Sequence, residues 1–374
     1  MDKPAKGLAD VVAASTALSD IDGRAGRLFY RGYDIHDLAG RITFEECVHL
    51  LLRGTLPTAD QLAALTAELD AARALPDRVD GLARDIGADA SPMEALRTLL
   101  SVLSLDDPDK DSNESDANQR KAVRLVARMP LLVARYHHAR SGTTMPETDP
   151  SLGTAGNFLL QITGMSPAPE AVAAFDECLV LHADHTMNAS TFACRVCAAT
   201  LSDMHSAVVA GIGTLKGPLH GGANEAVMKS LVEIGSLDAV DDFVCRELAA
   251  GKKLMGFGHR VYKTEDPRAT HLRRLSKSIG ELVGNTTWYE MSMAMEQIVL
   301  EVKGLYPNVD FFAASVYHSL GIPTDLFTPV FAISRMAGWT AHVIEQHADN
   351  RLIRPDSEYV GERDQKWVPI DERG

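Results

Sequence analysis

The sequence predicts a nearly all-α protein, of two domains or one large and one small, with at most a small N-terminal β element. Three observations carry that expectation. Three capping boxes each open onto apolar residues at helical spacing, many later stretches keep the same period, and alternating strand patterns are rare. The 374 residues exceed the roughly 150 usual for one domain.

In chain order, the one strand-like stretch lies near Ser15–Tyr30, where Asp22-Gly23 predicts the turn of a small hairpin. Thr43-Phe-Glu-Glu46, Thr58-Ala-Asp-Gln61 and Ser91-Pro-Met-Glu94 are the capping boxes. In each, a hydroxyl accepts from the N3 amide while the N3 side chain reaches back to the cap. Behind them run Val48, Leu51 and Leu52; Leu62, Leu65 and Leu69; and Met93, Leu96, Leu100 and Leu103. Further helices are expected at about 120–137, 152–164, 168–182, 190–213, 222–234, 238–250, 268–283, 288–304, 309–320 and 328–346. Thr328-Pro329 reads as the cap and N1 proline of the last. Asp106–Asp116 carries six acidic residues against one lysine, and is expected to be a solvated helix–helix loop.

With 45% hydrophobic and 24% charged residues, the chain has ordinary globular composition and enough apolar mass for a core. A net charge of −14 argues against a general nucleic-acid or membrane binder, since these are more often basic. It leaves room for an anionic small-molecule ligand beside a local basic cluster. The five cysteines, Cys47, Cys178, Cys194, Cys197 and Cys245, are too sparse for a disulfide framework, and a reducing cytoplasm is the expected setting. Met1–Asp10 shows no apolar signal core, and no run of about 18 apolar residues predicts a membrane span.

Three segments place rare polar residues inside apolar helical text. In Gly217-Pro-Leu-His220-Gly-Gly-Ala-Asn-Glu225, a histidine sits just before a helix. The helix dipole there opposes protonation, and a neutral imidazole can donate to a developing enolate oxygen. The alternative is a packing histidine in a tight turn. In Gly256-Phe-Gly-His259-Arg-Val-Tyr-Lys263, followed by Asp266-Pro-Arg268, a glycine-rich turn carries a histidine among Lys252, Lys253, Arg260, Lys263 and Arg268. Such a turn suits a phosphate-bearing ligand, or it is a solvated basic loop. It matches neither a P-loop nor a dinucleotide fingerprint. In Pro307-Asn-Val-Asp310-Phe-Phe, an aspartate opens an apolar helix, as a base or as a plain N-cap. Arg335 and Arg354 add guanidinium forks suited to small carboxylates. His182-Ala-Asp-His185 has short spacing, and its two histidines could share a helix face, but no third ligand set stands nearby and no metal site is expected. Cys194 and Cys197 lack a second pair and read as buried thiols.

Together these motifs resemble the citrate synthase family. The likeness runs from Arg31-Gly-Tyr-Asp-Ile35 to Arg354-Pro-Asp-Ser-Glu-Tyr-Val-Gly361, and looks like the shorter, bacterial-type homodimeric members. His182–Thr191, Gly217–Glu225, Gly256–Arg268, Asn308–Asp310 and Phe327–Arg335 stand in family order.

The resemblance implies condensation of acetyl-CoA with oxaloacetate, acetyl-CoA being a co-substrate and no cofactor being needed. It assigns Asp310 as the base, His220 as donor to the thioester oxygen and His259 as donor to the oxaloacetate carbonyl. His185, Arg268 and Arg335 would hold oxaloacetate, and Arg354 would reach the other subunit's site. Lys253, Leu254, Met255, Gly256 and Gly258 would line the CoA path, with Lys263 near its phosphates and Asn308 at the acyl end. Residues 1–220 and 321–374 would form the large domain, and residues 221–320 a small domain closing over the site, with His220 at the hinge. After His185 the text Thr186-Met-Asn188 departs from the longer members, so Asn188 receives no role. A 2-methylcitrate synthase using propionyl-CoA is the near alternative. A catalytically inactive helical binding module is a remote one, because every acid, base and carboxylate clamp is present.

Overall fold

The structure, a computed structural model, describes residues 6–8 and 11–373. Most of the Met1–Asp10 stretch therefore lies outside the described residues. A three-stranded antiparallel sheet opens the fold: β1 (Ser19–Asp22), β2 (Arg27–Tyr30) and β3 (Tyr33–Asp34), in that order. Ser19 pairs with Tyr30 and Asp22 with Arg27. The turn is a four-residue loop at 23–26, not a two-residue turn on Asp22-Gly23. Asp22 ends the strand, and its carboxylate accepts from the amides of Arg24 and Ala25 at 3.0 and 2.9 Å. This side-chain turn competes with a tight hairpin.

Sixteen α-helices follow among the described residues. The first half holds α1 (Ile35–Leu38), α2 (Phe44–Arg53), α3 (Ala59–Ala72), α4 (Asp77–Ile86), α5 (Pro92–Val102), α6 (Ser115–Ser141), α7 (Thr154–Thr163) and α8 (Pro169–His182). The second half holds α9 (Ala189–Ala198), α10 (Met204–Leu215), α11 (Ala223–Ile234), α12 (Val240–Ala249), α13 (Pro267–Leu282), α14 (Thr287–Lys303), α15 (Val309–Ser319) and α16 (Phe327–Ala348). All three capping boxes close in both directions, at the starts of α2, α3 and α5. Each such cap contributes about 1 kcal/mol.

α16 is the central element. Every residue from Phe327 to Val343 is buried, because α2, α6, α8, α9 and α10 all pack against it. A helix apolar on all sides must be enclosed on all sides. Helices α11 to α15 form a second group, with α11, α13 and α14 resting on α15, and α12 on α14. No helix among the described residues is long and apolar enough to cross a membrane. All five cysteines are free, and Cys197 is only half-buried, where burial was expected.

Three further local readings change. The single helix expected over 190–213 is two, α9 and α10, packed on each other. Asp203 caps α10 by accepting from the Ser206 amide at 2.9 Å, and Leu201 turns the chain at φ 64. Apolar spacing on both sides of the turn conceals the break. Thr328 does not cap α16, which begins at Phe327 after a 3-10 turn over Thr324–Leu326. Its hydroxyl donates instead to the Gly221 carbonyl at 2.9 Å.

The third change concerns the acidic segment, which is not simply solvated. Asp107 is buried, and Arg124 donates to it through Nε at 2.9 Å and Nη2 at 2.7 Å. Asp109 accepts from Arg124 at 2.6 Å and from Arg120. Lys121, fully buried, donates to the Ser112 carbonyl. The neutralising charges lie in the following helix, where a count over 106–116 does not see them.

Candidate active site

The last residue of α8 is His182. Its Nδ1 lies 2.8 Å from the Cys178 carbonyl, and burial pulls its pKa down to about 3. The chain then leaves the helix, so His185 does not share a helix face with it. His185 is buried in the turn before α9, whose cap is Asn188. Burial, and then the charge of Arg268, hold its imidazole well below the ordinary value.

His220 sits three residues before α11. Its Nε2 lies 2.8 Å from Ser190 Oγ and 3.3 Å from the Ser190 amide. An amide can only donate, so Nε2 accepts and the proton sits on Nδ1. Burial, and secondarily Arg335, lower its pKa to about 4. The imidazole is neutral, as the sequence predicts. The main cause is lost solvation, however, not the helix dipole.

His259 has the opposite tautomer. Its Nδ1 accepts from the amides of Val261 at 3.0 Å and Tyr262 at 3.2 Å, which leaves Nε2 as the N–H donor. Burial and the Arg268 charge lower its pKa to about 4. The rings of His185 and His259 stand 5.2 Å apart.

Asn308, not Asp310, caps α15, accepting from the Asp310 amide at 3.0 Å. Its amide group donates to the Gly258 carbonyl at 3.1 Å, and its backbone amide to the Gly256 carbonyl at 2.8 Å. This ties the glycine loop to the start of α15. Gly256 lies at φ 84, and a Cβ there would come 2.7 Å from Val227 and 2.9 Å from Phe311, so only glycine fits. Asp310 is buried, and its Oδ1 has no hydrogen-bond partner among the described residues. Burial pushes its pKa up to about 7, with Asp266 adding and Arg268 and Arg335 opposing.

Arg268 and Arg335 are both buried. Arg268 grips Asp266 at 2.9 and 2.7 Å. Burial works against that guanidinium, but the Asp266 carboxylate outweighs it and keeps the charge in place. Arg335 donates to the His182 carbonyl at 2.8 Å and stacks 4.6 Å over Phe331. It makes no ion pair among the described residues, and burial pulls its pKa down to about 10. The Asp184 and Asp310 carboxylates favour its charge only from a distance, so its guanidinium is open to an anion.

His185, His220, His259, Arg268, Asp310 and Arg335 all line one cavity of about 1680 Å³. Lys253, Leu254, Met255, Gly256, Gly258, Lys263 and Asn308 line it too. Arg354 does not: it is exposed beyond α16 and pairs with Asp356 at 2.9 Å. The sequence reading gave no role to Tyr262, Asp266, Ser190 or Phe331. All four lie within the named motif segments, and what singles any of them out is a spatial partner. No group of three or more His, Cys, Asp or Glu side chains among the described residues is arranged to hold a metal. Chemically, the cavity offers a carboxyl that ionises near neutrality, two neutral imidazoles with fixed N–H donors, and two buried cations. It can hold a small polyanion and take a proton from a weak acid beside it.

A family model described as citrate synthase, C-terminal domain, matches residues 7–356. Citrate synthase 2 of Bacillus subtilis is 49% identical over 369 residues, covering 98% of this chain and 99% of that one. A 2-methylcitrate synthase of Shewanella oneidensis is 42% identical, covering 98% and 97%. Among solved structures, the ternary complex of citrate synthase from Thermoplasma acidophilum with carboxymethyl coenzyme A and oxaloacetate superposes with a TM-score of 0.92. It is 35% identical and covers 98% of this chain and 99% of that one.

Proposed function

The chain belongs to the citrate synthase family, and we propose that its cavity condenses acetyl-CoA with oxaloacetate and water, giving citrate and CoA. The observation that carries this reading is Asp310: a buried carboxyl whose Oδ1 has no partner among the described residues, in one cavity with His220, His259, Arg268 and Arg335. In this reading Asp310 removes a proton from the acetyl methyl. A thioester methyl is a very weak acid, so the charge moving onto the thioester oxygen must be met as it forms. His220 meets it with its Nδ1–H. The enolate carbon attacks the oxaloacetate keto carbon, and the His259 Nε2–H hydrogen-bonds that oxygen as the new C–C bond forms. The alkoxide takes up a proton in place of the one Asp310 removed and then releases. Water then cleaves the thioester and releases CoA.

Arg268, Arg335 and His185 hold oxaloacetate. Lys253, Leu254, Met255, Gly256 and Gly258 flank the CoA path, Lys263 approaches its phosphates, and Asn308 fixes the acyl end by tying Gly258 to Asp310. The group α11–α15, within residues 221–320, closes on the large domain of residues 1–220 and 321–374, excluding water from the enolate. The protein acts as a cytoplasmic homodimer in which Arg354 completes the neighbouring site. The two imidazole donors supply the polarisation that a metal would, so acetyl-CoA is a co-substrate and no cofactor takes part.

The test is thiol release from acetyl-CoA on addition of oxaloacetate. Absence of release from folded protein would leave the inactive-module reading standing. The likeness to a 2-methylcitrate synthase supports a second reading, with propionyl-CoA as donor. One methylene discriminates by only about 10–200-fold, so kcat/KM for both acyl-CoAs, measured side by side, decides between them.

A further inference from the structure

The N-terminal sheet has no part in the mechanism above, yet it touches both turns that carry the oxaloacetate-facing histidines. At one end, Ser19 and Tyr30, paired across β1 and β2, grip the turn of His185. Ser19 Oγ donates to the buried Asp184 carboxylate and accepts from the Thr186 amide at 3.0 Å. Tyr30 Oη donates to the Asp184 carbonyl at 2.8 Å and accepts from the Asp184 amide at 3.2 Å. These bonds bracket His185 on both sides. They also hold Thr186 at φ 48, a conformation that β-branched residues rarely adopt.

At the other end, the β1–β2 turn lies against the turn of His259. The Gly23 carbonyl accepts from the Lys263 amide at 2.8 Å. The approach is so close that a Cβ on Gly23 would fall 2.4 Å from the Val261 carbonyl oxygen. Val261 and Tyr262 supply the two amides that fix the His259 tautomer. Between the two histidines stands Tyr262, its hydroxyl 3.2 Å from His185 Nε2 and its ring centroid 4.6 Å from that of His259.

We infer that the β1–β2 hairpin is a positioning element for catalysis, holding the His185 turn at its Ser19–Tyr30 end and the His259 turn at its Gly23 end, with Tyr262 as the spacer between the rings. The inference rests on the citrate synthase reading. Its physical basis is that both histidines lie on irregular turns, which do not fix a side chain on their own. A misplacement of about 1 Å costs on the order of 10²-fold in rate. One short sheet bonded to both turns supplies the common reference.

The experiment uses two variants outside the cavity lining, Gly23→Ala and Tyr30→Phe, in the full chain. Oxaloacetate affinity is read by calorimetry, kcat and the acetyl-CoA KM by thiol release, and folding by thermal melting. The expected result is a rise in oxaloacetate Kd and a fall in kcat, each about 10–100-fold, with the acetyl-CoA KM of Tyr30→Phe, which leaves the Lys263 turn untouched, within threefold of wild type. In a His259→Ala background, Gly23→Ala should add less than twofold, because effects through a shared route are not additive. A purely structural role would lower the melting temperature and add its full cost in that background. Folded Gly23→Ala protein with wild-type oxaloacetate Kd and kcat would overturn the inference. Should Gly23→Ala fail to fold, Tyr30→Phe, which deletes one oxygen, decides by the same readouts. Loss of the citrate synthase reading is separable: wild type itself would then release no thiol.

Discussion

Asn308 accepts a hydrogen bond from the Asp310 amide at 3.0 Å, and so relieves Asp310 of the capping task. The Asp310 carboxyl is left buried, with Oδ1 unpartnered among the described residues, free to take a proton from carbon. Asp310→Asn should therefore lower kcat by about 10²–10⁴-fold, the usual cost of losing a general base, while oxaloacetate Kd stays near wild type. Steady-state kinetics with calorimetry checks both. A variant keeping more than half of wild-type kcat would reduce Asp310 to a structural residue.

The pH profile should carry one acid limb. Asp310 is raised to about 7 chiefly by burial, and only its ionised form accepts a proton. kcat/KM for acetyl-CoA should rise with pH up to about 7 and level off above it. His220 and His259, both near 4, stay neutral through this range and add no limb above about pH 5. A profile flat between pH 5.5 and 8 would contradict this assignment.

Arg335 is a buried cation whose only hydrogen-bond acceptor within the described residues is the His182 carbonyl. Arg335→Gln keeps an amide donor but removes the charge. Oxaloacetate Kd should rise about 10–100-fold, in line with about 1.5–3 kcal/mol for a charge-assisted hydrogen bond. The melting temperature should fall only a little, because the charge removed makes no ion pair, although the buried Asp184 carboxylate loses its attraction. Loss of fold without ligand would show that Arg335 serves stability first.

The clamp on the acidic segment makes a purely structural prediction. Arg124→Ala leaves the buried Asp107 with only the Asp109 amide at 2.9 Å and His205 at 3.5 Å, and breaking one side of a buried pair costs up to about 3–5 kcal/mol. Denaturant unfolding should record that loss. The catalytic parameters of the folded fraction should match wild type, because the cluster lies outside the cavity lining.

Arg354 is exposed, and among the described residues its side chain bonds only to Asp356 in its own segment, which leaves it free for the proposed role at a neighbouring site. Arg354→Ala and Asp310→Asn chains should each be nearly inactive alone. With the proposed dimer and its shared sites, random mixing makes about half the pairs hybrid, each with one intact site, so roughly a quarter of wild-type activity should return. Demonstrated hybrids without activity would mean that Arg354 serves its own chain or none.

Much of this protein was legible in one dimension because the deciding interactions are local. The caps at Thr43, Thr58 and Ser91 close within three residues, and apolar spacing marks each helix from its own text. His220, His259 and Asp310 stood out as polar residues interrupting that text. What they do chemically was decided elsewhere. Asp310 leaves the ordinary carboxylate range only because helices from distant parts of the chain remove its water. The tautomer of His220 depends on Ser190, 30 residues away, and that of His259 on the Val261–Tyr262 turn held by Gly23. The bond between Ser19 and Asp184 spans 165 residues, and Arg124 neutralises Asp107 from two turns inside the next helix. Propensity and capping act over one helical turn. Burial, charge pairing and hydrogen-bond direction act through space, so only the packed chain determines them.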